Sequence, residues 1–249
     1  MIEFPTVEMQ PHITCKPGDV GKYVLLPGDP GRVPRIAKYL RDARKVAENR
    51  EFVTCTGQVD NITVSITSTG IGCPSAAIAV EELHRIGAHT FIRVGTTGAY
   101  SEYIGLGDII IATAAVRDEG TSRFYVPIEY PSVAHHEVIN ALIQAARRVK
   151  ARYYVGVVHT IDAFYGRHPP EFKRTWRDAN VLSVEMECSG VFIAAAIRGC
   201  RAGAVLAVDG NVFRGELLRR EDPRFQEALD KAILTAIEAV KILHKTSNA

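Results

Sequence analysis

The sequence predicts an α/β fold, a single-domain α/β/α sandwich around a mostly buried mixed β-sheet. Three observations point to it. Strand-like runs alternate with amphipathic helical stretches along the 249 residues, the pattern of a sheet covered by helices. Several runs are continuously apolar, which marks strands buried on both faces. No Ser- or Pro-rich linker, repeat or low-complexity tract divides the chain, so residues 1–249 read as one domain.

The elements follow in order. Lys22–Leu26 reads as a buried strand, broken by Pro27–Gly31, and Val33–Leu40 looks helical. Glu51–Gln58 and Ile62–Thr67 alternate β-branched and polar residues about an Asp60-Asn61 turn, a hairpin signal. Pro74–Ile86 has apolar residues at helical spacing, with Pro near its start and Gly87 just past its end. Thr90–Val94 is a buried strand ending in a glycine- and threonine-rich turn, and Asp108–Thr113 is a run of β-formers. His136–Val149 is an amphipathic helix, Tyr153–His159 a strand, Glu185–Arg198 an apolar helix, Ala204–Val208 a strand and Asp222–His244 the last helix. The least regular stretches are Val116–Pro131 and Phe164–Pro170. Their Arg117, Arg123, Phe124, Tyr125, Phe164, Tyr165, Arg167 and His168 are candidate walls for a flat ligand.

Composition narrows the function classes. Apolar residues make up 47% and charged residues 23% of the chain, as in a packed soluble domain. A net charge of only +2 argues against a nucleic-acid binder. No apolar run reaches the roughly 18–20 residues of a membrane span. The N-terminus lacks a basic segment followed by an apolar one, so a cytoplasmic protein is expected. The five cysteines are far apart and form no CxxC, so no metal is expected. Reduced, partly buried thiols are the expectation, with internal disulfides the alternative.

Five scattered segments together read as a pocket for one phosphate and one ribose. They are Pro27–Arg32, Asn49-Arg50, Arg93–Gly98, Phe164-Tyr165 and Val184–Glu187. Gly28 and Gly31 let backbone approach an anion, and Arg32 follows at a helix start. The alternative is a plain turn with a surface arginine. Arg93 near a strand end demands an anion, which is a ligand or a buried carboxylate. Thr96 and Thr97 offer hydroxyl donors on the next turn. Arg50 is a ligand or a solvated surface arginine. Glu185 and Glu187, two apart at a strand-to-helix junction, cannot share a helix face. One caps the helix while the other points into the cleft, where a carboxylate accepts two hydrogen bonds from a cis-diol and Met186 offers apolar surface. Alternatively both acids serve the helix dipole. Phe164 is a stacking platform or ordinary core. Asp209, after a strand, is a base-facing carboxyl group with a raised pKa, or the start of an Asx-turn.

These segments resemble the nucleoside phosphorylase-I family, which includes uridine phosphorylases and purine nucleoside phosphorylases. The matching stretches are LPGDPGR (26–32), NREF (49–52), STGIGCPSAAIAVEEL (68–83), FIRVGTTGA (91–99), DAFY (162–165) and VEMEC (184–188). The resemblance implies reversible phosphorolysis of a nucleoside to free base and ribose 1-phosphate, with inorganic phosphate as co-substrate and no other cofactor. Gly28, Arg32, Arg50, Arg93 and Thr96 would bind phosphate. His12, Met186 and Glu187 would hold the ribose. Thr97, Gly98, Phe164, Arg167, His168 and Asp209 would surround the base. Glu187, Arg93 and Asp209 would carry the catalysis. A homo-oligomer is implied, a hexamer built as a trimer of dimers, with His12 and Arg50 completing the neighbouring site.

The base is less clearly marked. Purine enzymes of the family carry an aspartate that aligns with Gly210, one place after Asp209. The Gln-x-Arg pair of uridine phosphorylases is replaced here by Gly166-Arg167-His168. Ser68–Leu83 and Val116–Val133 resemble the uridine branch, so uridine is the favoured substrate and purine nucleosides the alternative. A phosphate-independent nucleosidase would lack the arginines that this chain keeps. A Rossmann dehydrogenase is disfavoured because GDPG is not GxGxxG.

Overall fold

The computed structural model describes residues 8–166, 169 and 171–247. In chain order the elements are β1 (Tyr23–Pro27), α1 (Arg32–Ala37), β2 (Arg41–Asn49), β3 (Phe52–Val59), β4 (Ile62–Thr67), α2 (Cys73–Arg85), β5 (Thr90–Ala99) and β6 (Ile109–Asp118). A short 3₁₀ turn, Thr121–Phe124, precedes α3 (His136–Val149), β7 (Tyr153–Ile161), α4 (Phe172–Asp178) and β8 (Ser183–Glu185). The chain ends with α5 (Cys188–Ile197), β9 (Arg201–Asn211), β10 (Glu216–Leu217) and α6 (Pro223–Ser247).

All strands join one sheet in the order β10-β9-β6-β7-β8-β5-β1-β4-β3-β2, and β9 also pairs with β5. That extra pairing closes β5, β8, β7, β6 and β9 into a ring, which removes their free edges. The sheet is mixed. β1 runs parallel to β4 and β5, β5 runs parallel to β9, and β2, β3 and β4 form an antiparallel meander.

Strand alternation sends successive side chains into opposite layers. Leu25, Ile92, Val94, Val205 and Ala207 pack with α1, α3 and α6. Val24, Leu26, Phe91, Ala204 and Leu206 pack with α2 and α5. The apolar α5 buries every residue from Cys188 to Ala195, as a helix without a polar face must. Cys15, Cys55, Cys73, Cys188 and Cys200 are all free and buried. Among the described residues no helix is long and apolar enough to cross a membrane.

Several boundaries differ from the sequence reading. β2 was not anticipated, because RDARKVAEN is charged and mostly exposed. It is an edge strand, where charge discourages further pairing. α4 was also missed, having no buried residue to set an apolar period. The expected turn at Gly95–Gly98 is strand, since β5 pairs with β9 from Thr90 through Ala99. Gly95 serves that strand by leaving room for the Arg93 side chain, whose Cζ would lie 2.8 Å from an added Cβ. β9 runs on to Asn211, so Asp209 lies within a strand and starts no Asx-turn. The helix expected from Glu185 begins at Cys188.

Gly203 marks the closest approach of β9 to α3. A Cβ there would stand 2.4 Å from Val138 Cγ1. Gly203→Ala should therefore lower the unfolding free energy by about 1–3 kcal/mol through overpacking, read as a lower urea midpoint; an unchanged midpoint would contradict this contact.

Candidate active site

The carboxyl ends of the parallel strands β1, β5 and β9 bring Gly28, the Arg93–Gly98 segment and Asp209 to one side of the sheet, the usual ligand position in such sheets. Arg93 is the centre of this region. It is 4% exposed, and its guanidinium meets two carboxylates. Nε donates to Glu185 Oε2 at 3.0 Å, and Nη2 pairs with Glu187 Oε2. Both readings of the acid pair are realised in part. Glu185 caps α5, accepting from the backbone N–H groups of Glu187 at 2.8 Å and Cys188 at 2.9 Å. It also accepts from the Thr160 hydroxyl at 2.5 Å. Glu187 turns instead to Arg93 and accepts from the Gly72 N–H at 2.7 Å. Gly72 presents that N–H from a φ of +93°, which favours glycine.

Burial lowers the Arg93 pKa, but Glu187 and then Glu185 more than offset it, so the group is held cationic. Burial raises the Glu187 pKa, an effect that Arg93 opposes. Arg32 titrates below its ordinary range, first through burial and then through the charge of Arg93, with Asp29 and Asp209 opposing. Gly28 lies beside the same Arg93 guanidinium, since a Cβ there would lie 3.9 Å from Arg93 Nη1.

Burial pushes the Asp209 carboxyl group up to about 6, with Thr96 and the Arg32 charge opposing. A register shift marks its place in the strand. Thr97 pairs with Val208 but Gly98 with Gly210, so Asp209 is the extra residue of a β-bulge.

Other expected site residues fall elsewhere. The Thr97 hydroxyl donates to the Val184 carbonyl at 2.7 Å, so it ties β5 to β8 and is not a free donor. Gly98 pairs with Val184 in the same seam. Met186 stands between the two acids and accepts the Cys73 thiol at its carbonyl, 3.5 Å away. His12 Nδ1 lies 2.5 Å from Glu82 Oε1, and Asn49 donates to the His12 carbonyl at 2.8 Å. Arg50 is exposed at the β2–β3 turn with a φ of +53°. The Glu51 pKa is held low, first by the Ser75 hydrogen bond, with small contributions from the charges of Arg50 and His12. Phe164 is 66% exposed and meets Tyr165 edge-on at 4.9 Å, so it is not core. Arg167 and His168 lie outside the described residues.

Arg117 is no ligand wall. It is buried, and its donors go to Ser122 and to the carbonyls of Val126, Pro127, Ile128 and Tyr130, because an interior guanidinium must satisfy every N–H. It shapes the loop that carries Phe124 and Tyr125. These two rings, with Pro74, Gly120, Thr121 and Asp162, line a cleft of about 430 Å³. Thr160 and Gly72 were not foreseen as site residues. Nothing in sequence singles out Thr160, while Gly72 lies just before a helix within one of the matched stretches. Among the described residues no group of three His, Cys, Asp or Glu is placed to hold a metal ion.

Comparison with known proteins places the chain in a family. Residues 22–243 match the phosphorylase superfamily. The chain belongs to this superfamily. The uridine phosphorylase of Thermococcus kodakarensis is 50% identical to it over 94% of this chain and 87% of its own length. The guanosine phosphorylase of Halorubrum lacusprofundi is 41% identical over 94% of this chain and 99% of its own. Among solved structures, the uridine phosphorylase of Vibrio fischeri superposes with a TM-score of 0.89 at 33% identity, covering 96% of this chain and 100% of that one. The superfamily match thus spans most of the chain, including the arginine–carboxylate cluster.

Two outcomes follow from the cluster. Glu185→Ala strands the Arg93, Thr160 and α5 donors together, and breaking such a buried pair costs about 3–5 kcal/mol; chemical denaturation should show it, and a loss under about 1 kcal/mol would refute the network. Asp209 binds its proton more tightly folded than unfolded. Its stabilising contribution is full below the ordinary value of 3.8 and is lost as pH rises through about 6. Across that window wild-type stability should fall relative to Asp209→Asn, and parallel profiles would speak against the shift.

Proposed function

We propose that this chain catalyses the reversible phosphorolysis of uridine, releasing uracil and forming ribose 1-phosphate. The buried Arg93–Glu187 pair, with Arg32 beside it, carries this reading: it sets an anion pocket next to a fixed carboxylate. Phosphate is held by Gly28, Arg32, Arg93 and Thr96. Glu187 has one oxygen on Gly72 and the other on Arg93. A carboxylate offers about four acceptor sites, which leaves room for both hydroxyls of a ribose diol over Met186. Phe164, on its exposed loop, stacks on the base, and Arg167 and His168 read its edge.

In the proposed reaction a phosphate oxygen bonds to C1′ as the C1′–N bond breaks. The bonding pair leaves with the base, which then takes up a proton. Positive charge building on the sugar is met by phosphate below and by Glu187 through the diol. Positioning and fixed charge supply the acceleration. Phosphate is the co-substrate, and the scheme calls on no metal or organic cofactor.

Arg50 lies exposed at the outer β2–β3 turn, with His12 close by through the Asn49 hydrogen bond to its carbonyl, which supports a role in a neighbouring subunit's site. We therefore propose a homo-oligomer, a hexamer arranged as a trimer of dimers, active in pyrimidine salvage in the cytoplasm. A fully active monomer in analytical ultracentrifugation would exclude that arrangement. The similarity to a guanosine phosphorylase along nearly its whole length supports guanosine as the second reading.

Base release from uridine should require phosphate and exceed release from guanosine at equal concentration. Arg32→Ala should raise the phosphate KM by about 10- to 100-fold, the equivalent of one charged hydrogen bond of about 1.5–3 kcal/mol. Turnover without phosphate would instead make the chain a nucleosidase, and a preference for guanosine would move it to the second reading.

A further inference from the structure

His159, fully buried on β7, takes no part in the proposed reaction, yet both of its ring nitrogens are engaged. Nδ1 lies 2.9 Å from the Tyr100 hydroxyl and Nε2 lies 3.0 Å from Asp118 Oδ2. Donor accounting assigns the protons. A carboxylate only accepts, so Nε2 carries a proton. Nδ1 then accepts from the buried Tyr100 O–H, which needs an acceptor there. Bonds at two edges keep the ring from turning, so its faces are fixed. Both aromatic side chains of α4 pack against that ring. The Trp176 ring lies 4.3 Å from it and the Phe172 ring 5.4 Å, centre to centre. No residue of α4 is fully buried, and the enclosed Trp176 N–H finds no acceptor among the described residues. Ring packing on His159 therefore seats the indole. α4 is also tied to the turn after β9. Lys173 Nζ donates to the Val212 carbonyl at 3.2 Å, and the Arg177 guanidinium stands 4.6 Å from the centre of the Phe213 ring.

His159 and Phe172 bracket residues 160–171, so their contact closes that stretch into a loop. Asp162 anchors the start of the loop by accepting the Gly120 N–H at 2.8 Å. Phe164 and Tyr165 stand on it. We propose that His159 is a positioning residue: by clasping both ends of this loop it sets where Phe164 presents its face to the base. Tyr100 and Asp118 act through it, by holding the ring. The proposal rests on the nucleoside reading above, in which Phe164 stacks on the base. Closing a loop costs entropy, and a loop already closed spares nucleoside binding that cost. Loosening the clasp therefore weakens the nucleoside and leaves the phosphate arginines as they are.

The two substrates are titrated separately on the intact enzyme, in wild type, His159→Phe, Asp118→Ala and Asp118→Asn. Phenylalanine keeps a ring and loses both hydrogen bonds. Asp118 is half-exposed, so replacing it leaves the core packed. His159→Phe and Asp118→Ala should raise the uridine KM about tenfold and change the phosphate KM by less than about twofold. Asp118→Asn, whose amide oxygen still accepts from Nε2–H, should stay within about twofold of wild type. Trp176 is the single tryptophan of the chain, so its fluorescence reports the clasp directly. Uridine should change the wild-type emission, phosphate alone should not, and His159→Phe should lose the uridine response. An unchanged uridine KM in folded His159→Phe and Asp118→Ala would overturn the proposal. So would an equal rise of both KM values, the mark of a merely structural role, or a wild-type emission that uridine leaves unchanged. Uridine turnover without phosphate would overturn the phosphorylase reading alone, since the uridine KM and the emission still read the clasp. With guanosine as the preferred substrate, the same readouts are taken with guanosine.

Discussion

The rest of this molecule is arranged around one charge, the Arg93 guanidinium inside the sheet. An unpaired cation there would cost several kcal/mol in lost hydration. Two carboxylates from one short strand-to-helix junction prevent that cost, and each carries a second task. Glu185 reaches back to cap α5 and take the Thr160 hydroxyl, joining β5, β7, β8 and α5 at one point. Glu187 reaches forward to the N–H of Gly72 at the start of α2. The two helices of one layer are thereby fastened to the strand that carries the cation. Stability and site geometry are the same set of bonds here, so changes to this cluster disturb both.

That coupling bears on how much was legible in sequence. Strands such as Thr90–Val94 and Ala204–Val208 announced themselves because burial on both faces demands unbroken apolar runs. That one of the two acids would cap α5 was legible too, but that both would meet Arg93 was not. β2 was illegible because an edge strand needs no apolar face, and its backbone pairing with β3 leaves no trace in RDARKVAEN. Gly95–Gly98 misled for the opposite reason. Its glycines and threonines read as a turn, yet tertiary pairing on both sides forces extension.

Arg117 and Thr97 teach a related point about donors. A cation or hydroxyl in an irregular or glycine-rich stretch invites a ligand reading. Backbone carbonyls compete for the same donors, and here they win. Arg117 spends its N–H groups holding its own loop closed, and Thr97 ties two strands together. Arg93 differs in meeting two buried carboxylates rather than carbonyls.

Asp209 shows the same competition at the scale of one residue. Sequence comparison without gaps sets it one place before the aspartate of purine-cleaving relatives, a shift that would ordinarily turn a side chain to the opposite face of a strand. The β-bulge opposite Thr97 and Gly98 breaks that parity. With an extra residue in β9, alternation no longer fixes where Asp209 points. A carboxyl group that burial has pushed up to about 6 sits at the boundary between charged and neutral near physiological pH.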